Sequence, residues 1–289
     1  MMPVQQALVW AQQQGASRLE AQMLLLHTLG QSIHARAWLL THADDALTPE
    51  QHTAFVLAIQ RRLQHEPVAY ITGRKEFFGL DLHVDARVLD PRADTEILVE
   101  WALACVADTP SPRVLDLGTG SGAIALAIQH ARPDAQVMAV DASTEALNVA
   151  VANARRLGLA VQFFQGNWLS HWQPWPDRSS ASLDPAPAFD LIVSNPPYVA
   201  QHDPHLATLK HEPLSALASG TDGLDDIRQI TAQALAHLKP SAYLLLEHGF
   251  DQAQAVHDLL GNQGFTQIQS RPDLAGILRC TGGHSPRMK

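Results

Sequence analysis

Only two cysteines, Cys105 and Cys280, occur in 289 residues. They are too few and too far apart for a disulfide framework or a thiolate metal cluster, so reduced core thiols in the cytosol are expected. Positive charge is scarce as well. Twenty Lys and Arg against 29 Asp and Glu leave a formal charge of −9, so no global basic field draws the chain to nucleic acid or to anionic membrane. No apolar run approaches the length of a bilayer span. The start, Met1-Met2-Pro3-Val4-Gln5-Gln6, lacks the basic-then-apolar pattern of a secretory signal. Histidine is plentiful but lacks metal-ligand spacing: His202 and His205 are three apart with Pro204 between them, and the rest scatter over different elements. A soluble cytoplasmic protein remains, with an apolar fraction of 46% that supports one large domain plus a small one.

Residues 4–66 read as helical. Val4, Leu8 and Ala11, then Leu19, Met23 and Leu26, recur at helical spacing, and Thr48-Pro49-Glu50 is a strong helix start. The period changes to alternating over 72–84, which predicts a β-hairpin joining two domains, followed by a helix from Ile97 to Leu103. From Arg113 onward strands and helices alternate, the pattern of a parallel sheet covered on both faces. Strands are expected at 114–117, 137–141, 161–165, 189–194, 243–247, 266–271 and 276–280, with helices at 121–131, 144–157, 223–238 and 251–261. The stretch 174–187, rich in Pro, Ser and Asp, reads as a mobile surface insertion.

Two segments carry the chemistry. Asp116-Leu117-Gly118-Thr119-Gly120-Ser121-Gly122 ends one strand and opens a helix. Its glycines let the backbone pass close to a ligand, and the helix N-terminus offers N–H donors. The acid at its head would repel a pyrophosphate but suits a ligand with a positive centre, which points to S-adenosylmethionine rather than a dinucleotide. Asp141, ending the next strand, is placed to accept both ribose hydroxyls, or alternatively to cap the helix near Thr144. Asn167 and Trp168 follow the third strand and would bound the adenine, unless Trp168 is ordinary core. The second segment, Asn195-Pro196-Pro197-Tyr198, follows the buried strand 189–194. Its prolines forbid helix or strand and leave carbonyls without local donors; with the Asn oxygen and the flat Tyr ring they suit a planar group carrying an NH2. This tetrapeptide resembles the catalytic motif of amino-methyltransferases, which act on amide or exocyclic base nitrogens.

Taken with Glu76-Phe77-Phe78-Gly79-Leu80, the linker from Pro91-Arg92 to Thr95-Glu96, Glu212-Pro213-Leu214-Ser215-Ala216-Leu217 and Glu247-His248-Gly249, nearly the whole chain is similar to the HemK-type protein-(glutamine) N5-methyltransferases, which modify peptide chain release factors. The resemblance implies a Rossmann-like α/β fold. A helical substrate-binding domain (residues 1–72) and a β-hairpin linker (73–96) would precede a seven-stranded, class I methyltransferase domain (97–289). It places cofactor contacts on the Gly118–Gly122 loop, Asp141, Trp168 and Asn195, and the acceptor, the Gln of a Gly-Gly-Gln loop, beside Asn195, Pro196, Pro197 and Tyr198. Asn195 and the Pro196 carbonyl would take the two amide N–H groups, with Tyr198 packed on the amide plane. The chain departs from the pattern at Asp90, usually aliphatic, at Ala93, usually Pro, and at Asn167, where an acid is common. The partner expected is a release factor, with the enzyme a monomer that binds neither nucleic acid directly nor membrane. The rival readings are a glutamine methyltransferase acting on a ribosomal protein, an adenine-N6 nucleic-acid methyltransferase, and an idle methyltransferase fold serving as a binding module.

Overall fold

The computed structural model describes residues 2–170 and 189–287; the insertion expected at 174–187 lies outside them. The chain divides into two compact units, Met1–Arg74 and Lys75–Lys289.

The first unit holds five helices, α1 (Val4–Gln13), α2 (Arg18–Thr28), α3 (Arg36–Thr41), α4 (Pro49–Leu63) and α5 (Val68–Thr72). Capping boxes start α2, through Ser17 and Glu20, and α4, through Thr48 and Gln51, each satisfying backbone donors at a helix start. Ala7, Ala11, Leu24, Leu25, Phe55 and Ile59 fill the core between them. The apolar spacing within 4–66 points to α1, α2 and α4, and α3 falls inside the stretch read as helical without a pattern of its own. The residue pattern ends near Glu66-Pro67, while the family resemblance implies a five-helix-like domain; Pro67 stands at the N-cap of α5 and Gly73, with φ at 68°, closes it.

The second unit opens with a two-stranded hairpin, β1 (Arg74–Phe77) and β2 (Leu80–His83), turning through Phe78 and Gly79 with φ positive at both. A 3-10 turn at Ala93–Thr95 leads into α6 (Glu96–Cys105). Then follow β3 (Arg113–Leu117), α7 (Ala123–Ala131), β4 (Gln136–Asp141), α8 (Thr144–Leu157), β5 (Gln162–Gln165), β6 (Phe189–Ser194), α9 (Asp225–Ala234), β7 (Leu238–Glu247), α10 (Ala253–Asn262), β8 (Thr266–Pro272) and β9 (Leu278–His284). Strands β3 to β9 form one sheet in the order β5-β4-β3-β6-β7-β9-β8, parallel except where β9 runs antiparallel to β7 and β8. Leu115, Leu117, Met138, Val140, Ile192 and Leu244 project from one sheet face into a cluster with Ile227, Ile230, Val256 and Leu260 of α9 and α10. Helices α6 and α7 pack together, α7 on β3 and β4 and α6 on β6 and β7. Continuous apolar runs thus become strands covered on both sides.

Expectation and structure differ at the last strand. The pattern predicts it over 276–280, but it runs from Leu278 to His284, through Gly282 and Gly283. A glycine pair argues against strand on propensity, yet here it permits one: a Cβ on Gly282 would stand 2.4 Å from Leu245 Cδ2 of the paired β7. Strand β7 likewise begins five residues before the Tyr243 start expected from its apolar run.

One buried side chain ties the hairpin to the sheet. Asn153 of α8, fully buried, accepts from the His83 N–H at 2.7 Å and donates to His83 O at 2.9 Å and to Ser121 O at 3.0 Å. Asn153→Ala would leave these backbone groups unpaired, and each orphaned buried group costs about 1–3 kcal/mol. We expect a loss of roughly 3 kcal/mol in urea unfolding monitored by fluorescence, and a loss below ~1 kcal/mol would contradict the anchoring role.

Candidate active site

Strands β3 and β6 lie side by side in parallel register, with Leu117 opposite Ser194, and the Ser194 hydroxyl donates to Leu117 O at 2.7 Å. The chain leaves β3 toward β4 on one side, while β7 lies on the other side of β6. The carboxyl ends of this pair therefore flank the switch point where open α/β sheets bind ligands. The glycine loop emerges from one strand and Asn195–Tyr198 from the other, which brings residues some 75 positions apart in sequence into one crevice.

The loop turns its polar groups inward. Gly118 N and Thr119 N both donate to Val140 O, at 2.8 and 3.0 Å, and Gly122 N donates to Thr119 O at 2.8 Å. Gly120 N donates to the Asp141 carboxylate at 2.8 Å, and Ala125 N, in the first turn of α7, donates to Asp116 Oδ2 at 3.2 Å. The expectation that this helix start presents free donors is corrected at these positions, because Asp116 caps α7 from within. A loop whose N–H groups are so engaged is poorly suited to phosphate and well suited to a neutral or cationic ligand.

Asp116 is 0% exposed. Thr119 Oγ1 donates to its Oδ2 at 2.6 Å, while Oδ1 has no partner. Burial pushes this carboxyl up to about 7, a shift that the Thr119 and Ala125 hydrogen bonds oppose. Asp141 is also raised by burial. Its two oxygens accept one N–H each, from Gly120 and, at 2.8 Å, from Ser143. Each oxygen keeps a lone pair, so the carboxylate is held rigidly with acceptor capacity to spare. The N-cap of α8 is Ser143, not Asp141, which removes the alternative reading of that acid.

A cavity of about 250 Å³ opens between these elements. Of the residues expected at the site, Gly118, Gly120, Asp141, Asn167, Trp168, Asn195 and Pro197 line it. Trp168, with φ at 50°, serves both readings given to it: it packs against the sheet core and walls the cavity. A Cβ on Gly118 would stand 3.0 Å from its ring, so glycine is required for that wall to close on the loop. Asp116, Thr119, Ser121, Gly122, Pro196 and Tyr198 do not line the cavity. Asp116, Thr119, Ser121 and Pro196 are buried behind it, Gly122 caps α7, and Tyr198 directs its hydroxyl to Glu247 at 3.4 Å. The Tyr198 carbonyl accepts from Gln252 Nε2 at 3.0 Å, so not every carbonyl of the proline turn stays unclaimed.

Several site residues were not singled out from sequence. Asp226, in the first turn of α9, lines the cavity and accepts from Trp168 Nε1 at 3.0 Å. Arg87, Val88 and Leu89 form one rim; Pro213, Ser215 and Ala216 form another. The two rims are tied by Glu212, whose buried carboxylate pairs with Arg92 at 2.7 Å and accepts the Asp90 N–H at 3.2 Å. Thr95 and Glu247 lie behind Asn195, and the Asn195 Nδ2 donates to Thr95 Oγ1 at 3.1 Å. Burial pushes Glu247 up to about 7. Thr95, Glu212, Pro213, Ser215, Ala216 and Glu247 stand in the sequence only within the segments that carry the family resemblance, with no role attached. The lining fits a nucleoside with a cationic centre, offering the rigid Asp141 carboxylate, the Trp168 indole wall and the Asn195 side chain.

The sequence places this site among known proteins. Residues 6–73 match the PrmC N-terminal domain family, and residues 93–215 match the methyltransferase small domain family. The chain is 46% identical to the release factor glutamine methyltransferase of Burkholderia pseudomallei, covering 93% of this chain and 92% of the relative. It is 46% identical to that of Xylella fastidiosa strain Temecula1, over 99% of both. The Salmonella typhimurium enzyme of the same description is 39% identical over 92% of this chain and 91% of the relative. A methyltransferase from Pyrococcus furiosus shares the fold, with a TM-score of 0.50 at 16% identity, covering 78% of this chain and 97% of that one. Identity of this order along both units, over a site with these donors, makes the chain a member of the S-adenosylmethionine-dependent release factor glutamine methyltransferase family.

Proposed function

We propose that this enzyme methylates the side-chain amide nitrogen of the glutamine in the Gly-Gly-Gln loop of a peptide chain release factor. The observation that carries this reading is the Asn195 carboxamide, whose Nδ2 is occupied by Thr95 while its buried Oδ1 has no partner. An acceptor held in this way matches an incoming N–H. The bound cofactor supplies a sulfonium methyl, a strong electrophile. Everything else is alignment, because an amide lone pair is delocalised and attacks only when held in line. The Asn195 oxygen and the Pro196 carbonyl take the two N–H groups, and both bonds strengthen as positive charge develops on nitrogen, so they favour the transition state. The Tyr198 ring packs on the amide plane and excludes water. After transfer the surplus proton leaves to solvent. Asp141 accepts the ribose hydroxyls, Trp168 and Asn167 bound the adenine, and Asp116 acts through its charge beneath the loop, with Gly118, Thr119, Gly120, Ser121 and Gly122 shaping the backbone.

The helical domain, residues 1–72, would help to hold the release factor. The charge of −9 supports a protein rather than a nucleic-acid acceptor. Among the described residues no helix is long and apolar enough to cross a membrane. A monomer acting in the cytoplasm completes the reading.

Incubation with labelled S-adenosylmethionine and, separately, release factor, ribosomal protein and DNA tests it. Label is expected on the Gly-Gly-Gln glutamine; label confined to nucleic acid or to a ribosomal protein would overturn it. Asn195→Ala should abolish detectable turnover while changing the cofactor Kd by no more than about threefold, under 1 kcal/mol. An equal loss of both would reassign Asn195 to cofactor binding alone.

Asp116 gives a pH-dependent prediction. Its folded value of about 7 lies above the ordinary carboxylate value of 3.8, so the folded state holds the proton more tightly. The penalty is absent below about pH 4, grows as pH rises, and is complete above about pH 7, where it is on the order of a few kcal/mol. Asp116→Asn should therefore raise Tm of the ligand-free protein at pH 8 and leave it nearly unchanged at pH 4, while weakening cofactor binding by about tenfold. Thermal melts across pH check the first part and calorimetry the second; an equal Tm shift at both pH values would contradict the assignment.

A further inference from the structure

An aromatic wall stacks on a ligand only when its plane is fixed in the right direction. The backbone of Trp168 adopts φ at 50°, a left-handed conformation that bulky residues rarely enter unless their surroundings hold them there. That hold comes from α9. Asp226, Gln229 and Gln233 stand at i, i+3 and i+7, a polar stripe bordering the face that carries Ile227, Ile230 and Ala234 into the core. Gln233 accepts the Leu169 N–H at 3.1 Å and donates to Ser170 Oγ at 3.1 Å, and Gln229 donates to the same hydroxyl at 3.3 Å. These bonds fix the chain beside Trp168 but leave the indole free to turn about its own side-chain bonds. Asp226 takes up that freedom by accepting from Trp168 Nε1 at 3.0 Å. At the opposite end of the ring, Cζ3 lies 3.0 Å from where a Cβ on Gly118 would stand. The indole is thus spanned between an acid at its N–H edge and a glycine at its far edge. Asp226 is itself seated, its N–H donating at 2.8 Å to Oγ of Ser219, a buried residue.

We propose that Asp226 is a positioning residue for the cofactor, fixing the plane of the Trp168 indole in the cavity wall before the adenine arrives. The inference rests on the reading of Trp168 as the wall against the adenine. Without the acid, the ring has to be ordered as the cofactor binds, and the cost of ordering one side chain falls on affinity.

Calorimetric titration of S-adenosylmethionine into the full chain provides the test. Asp226→Ala should raise the cofactor Kd by about three- to tenfold. Asp226→Asn, which keeps an oxygen for the indole N–H but loses the charge, should recover most of that loss. In Trp168→Phe, which has no N–H for the acid to hold, adding Asp226→Ala should change Kd by less than about twofold. A second readout needs no ligand. The chain has six tryptophans, so in Trp-labelled protein the Trp168 indole N–H signal is the one that Trp168→Phe removes. Its exchange with solvent should be slow in the wild type and in Asp226→Asn, and at least about tenfold faster in Asp226→Ala. A wild-type Kd in Asp226→Ala, an equal loss in Asp226→Asn, a full loss in the Trp168→Phe background, or indole exchange unchanged by Asp226→Ala would each overturn the proposal. Trp168→Ala distinguishes its failure from that of the reading beneath it. If Trp168→Ala binds the cofactor as tightly as the wild type, Trp168 is no cofactor wall, and that reading fails and the proposal with it. A weakened Trp168→Ala beside an unaffected Asp226→Ala rejects the positioning role alone.

Discussion

The parallel pairing of β3 with β6 is the constraint on which the site depends. Leu117 lies opposite Ser194, and the Ser194 hydroxyl locks the two strand ends together. A slip of one residue would turn every side chain of one strand to the opposite face. Buried Val193 and Ile192 would exchange places, and Asn195 would leave the crevice that the glycine loop enters. Because β4 pairs with β3 in turn, Asp141 arrives beside Gly120. Three cavity-lining elements are thus set by backbone register before any side chain makes a choice.

Inside that frame the polar groups face inward to an unusual degree. Asp116 and Glu247 are both almost wholly buried, both pushed up to about 7, and each keeps one oxygen without a protein partner. Buried carboxyls of this kind lower stability at neutral pH, since the charged form is desolvated. Each does local work that an apolar residue could not. Asp116 satisfies an orphan N–H of α7 and a loop hydroxyl, and Glu247 accepts from the Tyr198 hydroxyl. Stability is given up where polarity has to be specified.

The sequence made the central strands legible because β3, β4 and β6 are short apolar runs bounded by turn formers, and the two loops legible because Gly and Pro restrict the backbone locally. Glu247 and Thr95 are visible only as residues in a resemblance, since Thr95 meets Asn195 across 100 positions and Glu247 meets Tyr198 across 49. Asp226 carries no signal in the sequence; only the approach of Trp168 distinguishes it. Gly282 and Gly283 misled outright. Strand propensity disfavours them, but Leu245 of β7 closes on Gly282 and Thr266 and Ile268 of β8 close on Gly283, and those neighbours are tertiary information.

The linker shows how a departure from a family pattern is absorbed. Ala93 lacks the φ restriction that a proline would impose, and Asp90 puts a charge where an aliphatic side chain is usual. Asp90 is buried, yet it pairs with Lys75 at 3.1 Å and with Arg92 at 3.6 Å, while its backbone N–H binds Glu212. Arg92 is held charged, against desolvation, by the fields of Glu212 and Asp90. A network of two acids and two bases therefore fixes the segment on both sides, tying the rim at Arg87–Leu89 to the rim at Pro213–Ala216. Ion pairs of this kind contribute little net stability once desolvation is counted, but their geometry is directional. Rigidity that proline would supply through the unfolded state is supplied here through the folded one, by orienting both walls of the cavity toward each other.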